Sequence, residues 1–466
     1  MLVSFLQTIF RPMFGTFEKE EFKKFLRMGI SFTFIIGSYW TMRTLKNALF
    51  CNLVGAASIP YGKTLSLLLL VPMVVFYTKL IDKLSHEKTF YYLSIGYAIA
   101  TGIFAGLLLL PSIGQAPREL ICARTGLAYY GTQILGYAWY VFVESYGSLI
   151  IALFWAIASS TTMPDSAKKG FSLVVAIGQI GGIVGPYFIG GLPHRFGFET
   201  NALSVALCTL TILASIYYLH IFLHKTPKSL LVSFEGKNEK TEEAKQEPGF
   251  FEGLKLLFSH KYLLAIFGVL SFFEIIITVF DMHFQTLASS QMSGTQLAKY
   301  MGAYGSWVNI IAFFCLLAGI SNITRILGVG AALLMMPIIY AFAITGFISF
   351  DSLNFLFVLM VSSKAINYAL NGPAVKQLYI PTTTDVRFKS QAWIETFGSR
   401  GAKEAGSIFN MTLGPLQTKL GAAAGRARHV MYSAYLGFAL VVIWFFVALY
   451  LGRTYKKAIN EKKVVC

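Results

Sequence analysis

Charge is scarce in this chain. Only 13% of its 466 residues are Asp, Glu, Lys or Arg, about half the roughly 25% of a soluble domain. So little charge cannot cover a water-exposed surface of this size. Cysteine is scarce too. The five present (Cys51, Cys122, Cys208, Cys315 and Cys466) form no CxxC and no metal-ligand spacing, so they read as small apolar residues rather than a disulfide or zinc framework. There are no ten-residue segments of alternating polarity, which excludes a transmembrane barrel. HExxH is absent. Gly62-Lys63-Thr64 resembles the end of a P-loop, but Ala57 stands where the first glycine belongs and no strand precedes it, so the motif fails. The N-terminus lacks the layout of a signal peptide and is not a Ser/Arg-rich transit sequence, so neither kind of precursor is expected.

What the chain has is apolar length. It is 55% hydrophobic with a mean hydropathy of +0.62. Twelve runs, most of them near 20 residues, lie at about 25–46, 64–81, 89–111, 133–160, 170–191, 203–223, 262–284, 300–320, 325–348, 352–372, 395–416 and 431–452. A helix needs roughly 20 residues to cross ~30 Å of hydrocarbon, and lipid satisfies no backbone polar group, so such spans are helical. Between the sixth and seventh runs, residues 224–258 are rich in Lys and Glu. The expected fold is therefore an all-α polytopic membrane protein of about twelve transmembrane helices. It divides into a six-helix bundle over 1–224, a charged cytoplasmic linker over 225–260 and a second six-helix bundle over 261–466.

The net charge of +17 has a topological reading that makes nucleic acid an unnecessary partner. With the N-terminus inside, the inside segments hold Lys19, Lys23, Lys24, Arg27, Lys79, Lys83, Lys88, Lys168, Lys169, the linker lysines and the basic tail, while the outside segments are poor in Lys and Arg. This positive-inside bias places both termini in the cytoplasm. Two six-helix halves around a charged loop is the layout of major-facilitator-type transporters, in which the halves rock about a midplane site. In that architecture the first, fourth, seventh and tenth helices line the cavity.

Charges within the runs follow that expectation. A charge at the bilayer centre costs roughly 3 kcal/mol or more, so each needs a reason. The first run carries Tyr39, Arg43 and Lys46, the fourth Tyr140, Glu144 and Ser148, the seventh Glu274, Thr278, Asp281 and Gln285, and the tenth Lys364, Asn367, Tyr368 and Asn371. These are polar stripes of helical period. Arg43, Lys46 and Lys364 against Glu144, Glu274 and Asp281 balance three positive charges with three negative. Two readings compete. The pairs clamp the halves structurally, or they form a site that exchanges partners when a polyanionic substrate brings its phosphates. Gly178, Gly181, Gly182 and Gly185 read as close helix packing rather than a phosphate cradle. His86, His194, His260 and His429 read as loop residues, and His283 as a proton-coupling candidate. Asn322-Ile323-Thr324 is expected inside and unglycosylated. A membrane enzyme would need a general base or metal cluster at the surface. No catalytic residue, metal site or cofactor is expected.

Four stretches resemble the nucleotide transporter (ATP/ADP translocase) family of obligate intracellular bacteria and plastids. They are Lys24–Asn47, ending in Arg43-x-x-Lys46; Leu70–Leu80; Tyr140–Trp155, with Glu144; and Lys364–Pro381, ending in Tyr379-Ile380-Pro381 and followed by Gly398-Ser399-Arg400 and Lys403. The resemblance implies a multi-pass bacterial inner-membrane protein that moves ATP, ADP or a related nucleotide by alternating access, with membrane lipid around it. Lys46, Glu144 and Glu274 match positions that serve substrate binding there. The chain departs from the family at Gly372–Lys376, where Asp-Pro-Thr-Lys-Glu is usual, and at Asn367 and Gln391, where Lys is usual. ATP/ADP exchange, transport of another nucleotide, and proton-coupled symport of a nucleotide or other anionic metabolite all remain open at this point. Arg43, Lys46, Glu144, Glu274, Asp281, Lys364 and Asn367 are the expected substrate-binding residues.

Overall fold

The structure, a computed structural model, describes residues 17–115, 121, 125–162, 164–231, 250–317, 327–350, 352–383, 391, 393–394, 398–461 and 463–465. Among these residues there is no strand. Twelve principal helices match the twelve apolar runs: α1 (Lys19–Leu53), α2 (Ile59–Lys83), α3 (His86–Leu108), α4 (Gly126–Ser160), α5 (Pro164–Val184), α6 (Ala202–Lys225), α7 (Lys261–Gln291), α8 (Gly294–Leu317), α9 (Val329–Ser349), α10 (Leu353–Ile366), α11 (Ser399–Asn410) and α12 (Ala422–Glu461). Seven helical segments are long and apolar enough to cross a membrane by length and composition alone. α1 is not one of them, since Arg, Gly, Ser, Thr, Tyr and Trp residues interrupt its apolar stretch. Residues 232–249 of the linker and Asn322-Ile323-Thr324 lie outside the described residues. Phe250–Ser259, within the expected linker, is helical.

The chain forms two compact units. The first comprises Met1–Gly55, Leu65–Lys240 and Gln291–Asn309, and the second Ala56–Thr64, Thr241–Ser290 and Ile310–Cys466.

In the first unit α1 is the hub, packed on α4, α5 and α6. Between transmembrane helices the hydrophobic effect gives no net drive, so close backbone approach matters. Glycines of α5 and of the π-turn that follows it (Gly185–Ile189) supply it. A Cβ on Gly181 would stand 2.0 Å from the Thr33 carbonyl oxygen of α1, and one on Gly185 would stand 2.6 Å from Thr41 Oγ1. Thr33 Oγ1 then donates to the Ile177 carbonyl at 2.9 Å. The glycine stripe is thus packing, as its sequence setting suggests. The first turns of α8 join this unit, with Ser306 Oγ donating to the Ile183 carbonyl at 2.7 Å and Asn309 Nδ2 to that of Gly182 at 3.2 Å.

Basic residues at the start of α1 close the ends of neighbouring helices. Lys24 Nζ donates to the Thr161 carbonyl at 2.7 Å, just past α4, and to the Leu230 carbonyl at 2.8 Å, while Arg27 Nη1 donates to the Lys225 carbonyl at 2.6 Å, at the end of α6. Carbonyls at a helix C-terminus have no intrahelical partner and carry partial negative charge, so cations belong there. Lys24 is buried, and burial pulls its ammonium down to about 8, against an opposing pull from Glu21.

In the second unit α9 packs on α12 and α10, and α11 lies on α7, where Asn410 Nδ2 donates to the Thr278 carbonyl at 3.1 Å. His429, expected in a surface loop, is instead fully buried, because α12 starts at Ala422, well before its apolar run. Large exposed apolar side chains are numerous on α2 (Leu68, Val71, Phe76) and α12 (Val442, Phe446) and recur on α3 (Ile99, Ile103), α6 (Leu210, Tyr217) and α9 (Ile338, Phe342). On helices this apolar, such faces suit lipid.

Candidate functional site

Each unit carries its own set of charged stripes. In the first unit α1 turns Tyr39, Trp40, Arg43 and Lys46 along adjoining faces, and α4 offers Tyr140, Glu144 and Ser148. The Lys46 ammonium is ion-paired with Glu144 Oε1 and lies 4.0 Å from the centroid of the Tyr140 ring. The partners differ in burial. The Lys46 side chain is 5% exposed, that of Glu144 41%. The cation is therefore fixed in protein, held on one side by a ring face, while the carboxylate reaches open space. Ser148 Oγ bonds back to the Glu144 carbonyl at 2.9 Å. The Arg43 guanidinium lies 4.8 Å from the Trp40 ring centroid and 5.8 Å from that of Tyr39, and Nη1 donates to the Tyr39 hydroxyl at 3.3 Å. Tyr39 can lie against α4 because residue 147 is glycine, where a Cβ would meet the ring at 2.2 Å.

In the second unit, Lys364 Nζ of α10 pairs with Asp281 Oδ1 of α7 at 2.6 Å, and Gln285 Nε2 donates to the other oxygen, Oδ2, at 2.5 Å. Both charged side chains are mostly buried. Immediately after Lys364, α10 widens into a π-turn over Asn367–Asn371. Such turns recur at functional sites because they re-aim side chains within a helix. Here the turn lets Asn371 Nδ2 donate to Asn367 Oδ1 at 2.9 Å. Asn367 thus bonds to another amide one turn beyond the Lys364–Asp281 pair. Glu274, a mostly buried carboxylate on α7, accepts from Ser399 Oγ at 2.9 Å and pairs with Lys403 Nζ at 3.4 Å, both on α11. Lys403 and Ser399 were not among the expected site residues, although they fall in a stretch that carries the family resemblance. Their missed role is a tertiary one, since α7 and α11 are far apart in sequence.

The charges therefore sort into Lys46–Glu144, Lys364–Asp281 and Lys403–Glu274, with Arg43 over aromatic rings. His283 is buried and packed against His429, whose Nδ1 is 3.2 Å from His283 Nε2, and that nitrogen is also 2.8 Å from Ser433 Oγ. Chemically, this arrangement offers fixed cations whose counter-ions are side chains, some of them solvent-reaching. Such groups can trade a carboxylate for a phosphate without any covalent step.

The family model described as TLC ATP/ADP transporter matches residues 5–360. ADP,ATP carrier protein 1 of Rickettsia bellii is 24% identical over 491 aligned positions, covering 97% of this chain and 97% of the relative. ADP,ATP carrier protein 3 of Rickettsia typhi is 23% identical, covering 86% of this chain and 88% of the relative. Among solved structures, the nucleoside transporter NupG superposes with a TM-score of 0.61 at 16% identity, covering 91% of this chain and 99% of that one. That likeness is one of fold, and it makes the architecture major-facilitator-like. The match across most of its length shows that the chain belongs to the TLC ATP/ADP transporter family.

Proposed function

We propose that this chain is a multi-pass protein of a bacterial inner membrane, with both termini cytoplasmic, that exchanges nucleotides of the ATP/ADP class by alternating access. Lys46, Arg43 and Lys364 bind phosphate oxygens. Glu144, Glu274 and Asp281 are the counter-ions that neutralise the site between substrates, and the Asn367 amide offers a donor and an acceptor to the base or ribose. Lipid contacts the apolar faces of α3, α6, α9 and α12.

The observation that carries this reading is the asymmetry of the Lys46–Glu144 pair. A pair built as a clamp gains most when both members are buried and hydrogen-bonded. Here the cation is held and the anion reaches outward. An arriving phosphate can take the place of the Glu144 carboxylate on Lys46, and the displaced carboxylate can turn to solvent at modest cost. The exchange of one oxyanion for another keeps the buried ammonium compensated throughout, and no step breaks a covalent bond.

The test is uptake of a panel of labelled solutes into intact cells expressing the protein: ATP, ADP, other ribonucleotides, nucleosides and non-nucleotide phosphates. Saturable uptake of nucleotides, competed by unlabelled ATP or ADP and lost in Lys46→Ala, is expected. Uptake of a non-nucleotide anion with nucleotides inert would overturn the reading.

A further inference from the structure

The ends of α3 and α6 bring together three side chains that the transport site does not use. Glu87 sits in the first turn of α3, and His220 and His224 are one turn apart near the end of α6. Their ligand atoms all lie within 4.8 Å of one another. The sequence signal is a His-x-x-x-His spacing on one helix, which puts two imidazoles on one face. The carboxylate comes from a distant segment, which is why the spacing alone shows only half of the cluster.

The hydrogen bonds decide which ring nitrogens are available. The Tyr91 hydroxyl donates its proton to Glu87 Oε1 at 2.9 Å, so towards His220 Nδ1, 3.4 Å away, it can only accept. His220 Nδ1 is then placed to donate to the Tyr91 oxygen in the tautomer that protonates it. His224 Nδ1 is 3.1 Å from the His220 carbonyl, an acceptor, so it carries the proton on Nδ1. With His220 in that tautomer, both neutral rings are left with their lone pairs on Nε2. The rings are stacked, with centroids 3.9 Å apart and planes inclined by 26°, so one of them must turn for both in-plane lone pairs to meet a single ion. Metal-ligating histidines commonly have the second nitrogen anchored to a carbonyl or other acceptor, which fixes the tautomer. The anchoring group Tyr91 also orients the carboxylate, so one hydroxyl aligns two of the three ligands. His220 and His224 are exposed and Glu87 half-buried, which leaves an entry path and room for water in a fourth position.

We propose that Glu87, His220 and His224 form a binding site for one divalent transition-metal ion of the Zn2+ class, with water completing the shell. Two imidazole nitrogens and one carboxylate oxygen suit a borderline ion. Mg2+ and Ca2+ favour shells made of oxygen and are excluded by the same donor set. The ion ties α3 to α6 at the end of the first unit where Arg27 meets Lys225, the end assigned above to the cytoplasm. The site is independent of nucleotide binding.

The test uses full-length detergent-purified protein with its affinity tag removed. Zn2+ is titrated in competition with a chromogenic chelator, and thermal unfolding is followed with and without the ion. One equivalent of Zn2+ is expected to bind and to raise the melting temperature, with Mg2+ and Ca2+ inert. Glu87→Gln and His224→Ala should each weaken Zn2+ at least about tenfold and abolish the thermal shift. Tyr91→Phe, which removes no ligand, should weaken it by roughly 10–100-fold. Elution volumes matching the parent establish that the variants are folded. Absence of Zn2+ binding by the parent, or equal binding by the parent and by Tyr91→Phe and Glu87→Gln, overturns the proposal.

Discussion

Lys46 and Glu144 face different penalties when either is truncated. Glu144→Ala removes a carboxylate from an ammonium that is almost wholly buried. Removing one partner of a buried ion pair costs about 3–5 kcal/mol. Lys46→Ala leaves a carboxylate that already reaches solvent, where ion pairing is worth roughly 1 kcal/mol or less. Both substitutions are expected to abolish nucleotide uptake, but Glu144→Ala should lower the melting temperature of the purified protein far more than Lys46→Ala. Equal losses of stability with uptake retained would identify the pair as a clamp. The same logic applies to Glu274, whose partners Ser399 and Lys403 were hidden in the sequence. An apolar helix with a polar stripe announces which residues are displaced from lipid. It does not announce which helix answers them, so Lys403 and Ser399 were not among the expected site residues. His429 was misread for a related reason. Its neighbours Arg426 and Arg428 look like loop, yet the helix simply continues and turns the imidazole inward towards His283.

At the scale of the element, most of what positions the site was legible. Length and hydropathy fixed the helices, and the stripes on the first, fourth, seventh and tenth marked those that carry charge. The π-turn at Asn367–Asn371 was not legible, since no residue in Asn-Tyr-Ala-Leu-Asn demands one. The glycines of α5 were read correctly because small residues at helical spacing have one common use in a membrane. Their role gives a paired prediction. Gly181→Val puts a side chain where a Cβ already stands 2.0 Å from a backbone oxygen, whereas nothing lies within 4 Å of a Cβ on the α3 glycine Gly96. Overpacking costs about 1–3 kcal/mol, so Gly181→Val should lower the melting temperature by several degrees or prevent accumulation, and Gly96→Ala should match the parent. Equal tolerance of both would contradict the α1–α5 contact.

The basic end of α1 makes a prediction about pH. The unfolded chain holds the Lys24 proton up to about 10.5, but burial lets the folded protein release it near 8. Between these values the unfolded state binds more protons, so this group's contribution to stability is least favourable below pH 8 and improves as pH rises towards 10.5. The melting temperature of the parent minus that of Lys24→Met should therefore climb from pH 8 towards about 10. A difference that stays flat or falls would mean that the bonds to Thr161 and Leu230 outweigh desolvation.

For the molecule as a whole, the central claim is exchange. Three cationic side chains are matched with three carboxylates in the Lys46–Glu144, Lys364–Asp281 and Lys403–Glu274 pairs. Adding Arg43 leaves the proposed site one charge from neutral, so energy alone does not forbid its return across the membrane. Opening a pair to admit phosphate is different, because an uncompensated charge in low dielectric costs several kcal/mol. A bound nucleotide offsets that cost, and its departure is easiest when another replaces it. The conformational change should then be fastest with nucleotide bound on either side. The direct measurement is uptake of labelled ATP by proteoliposomes containing the purified protein, either preloaded with unlabelled ADP or empty. The account predicts uptake at least about tenfold faster into the preloaded vesicles, a difference of roughly 1.4 kcal/mol in the limiting barrier, with no response to an imposed inward proton gradient. Equal rates into preloaded and empty vesicles, rising with the proton gradient, would contradict it and make the protein a symporter.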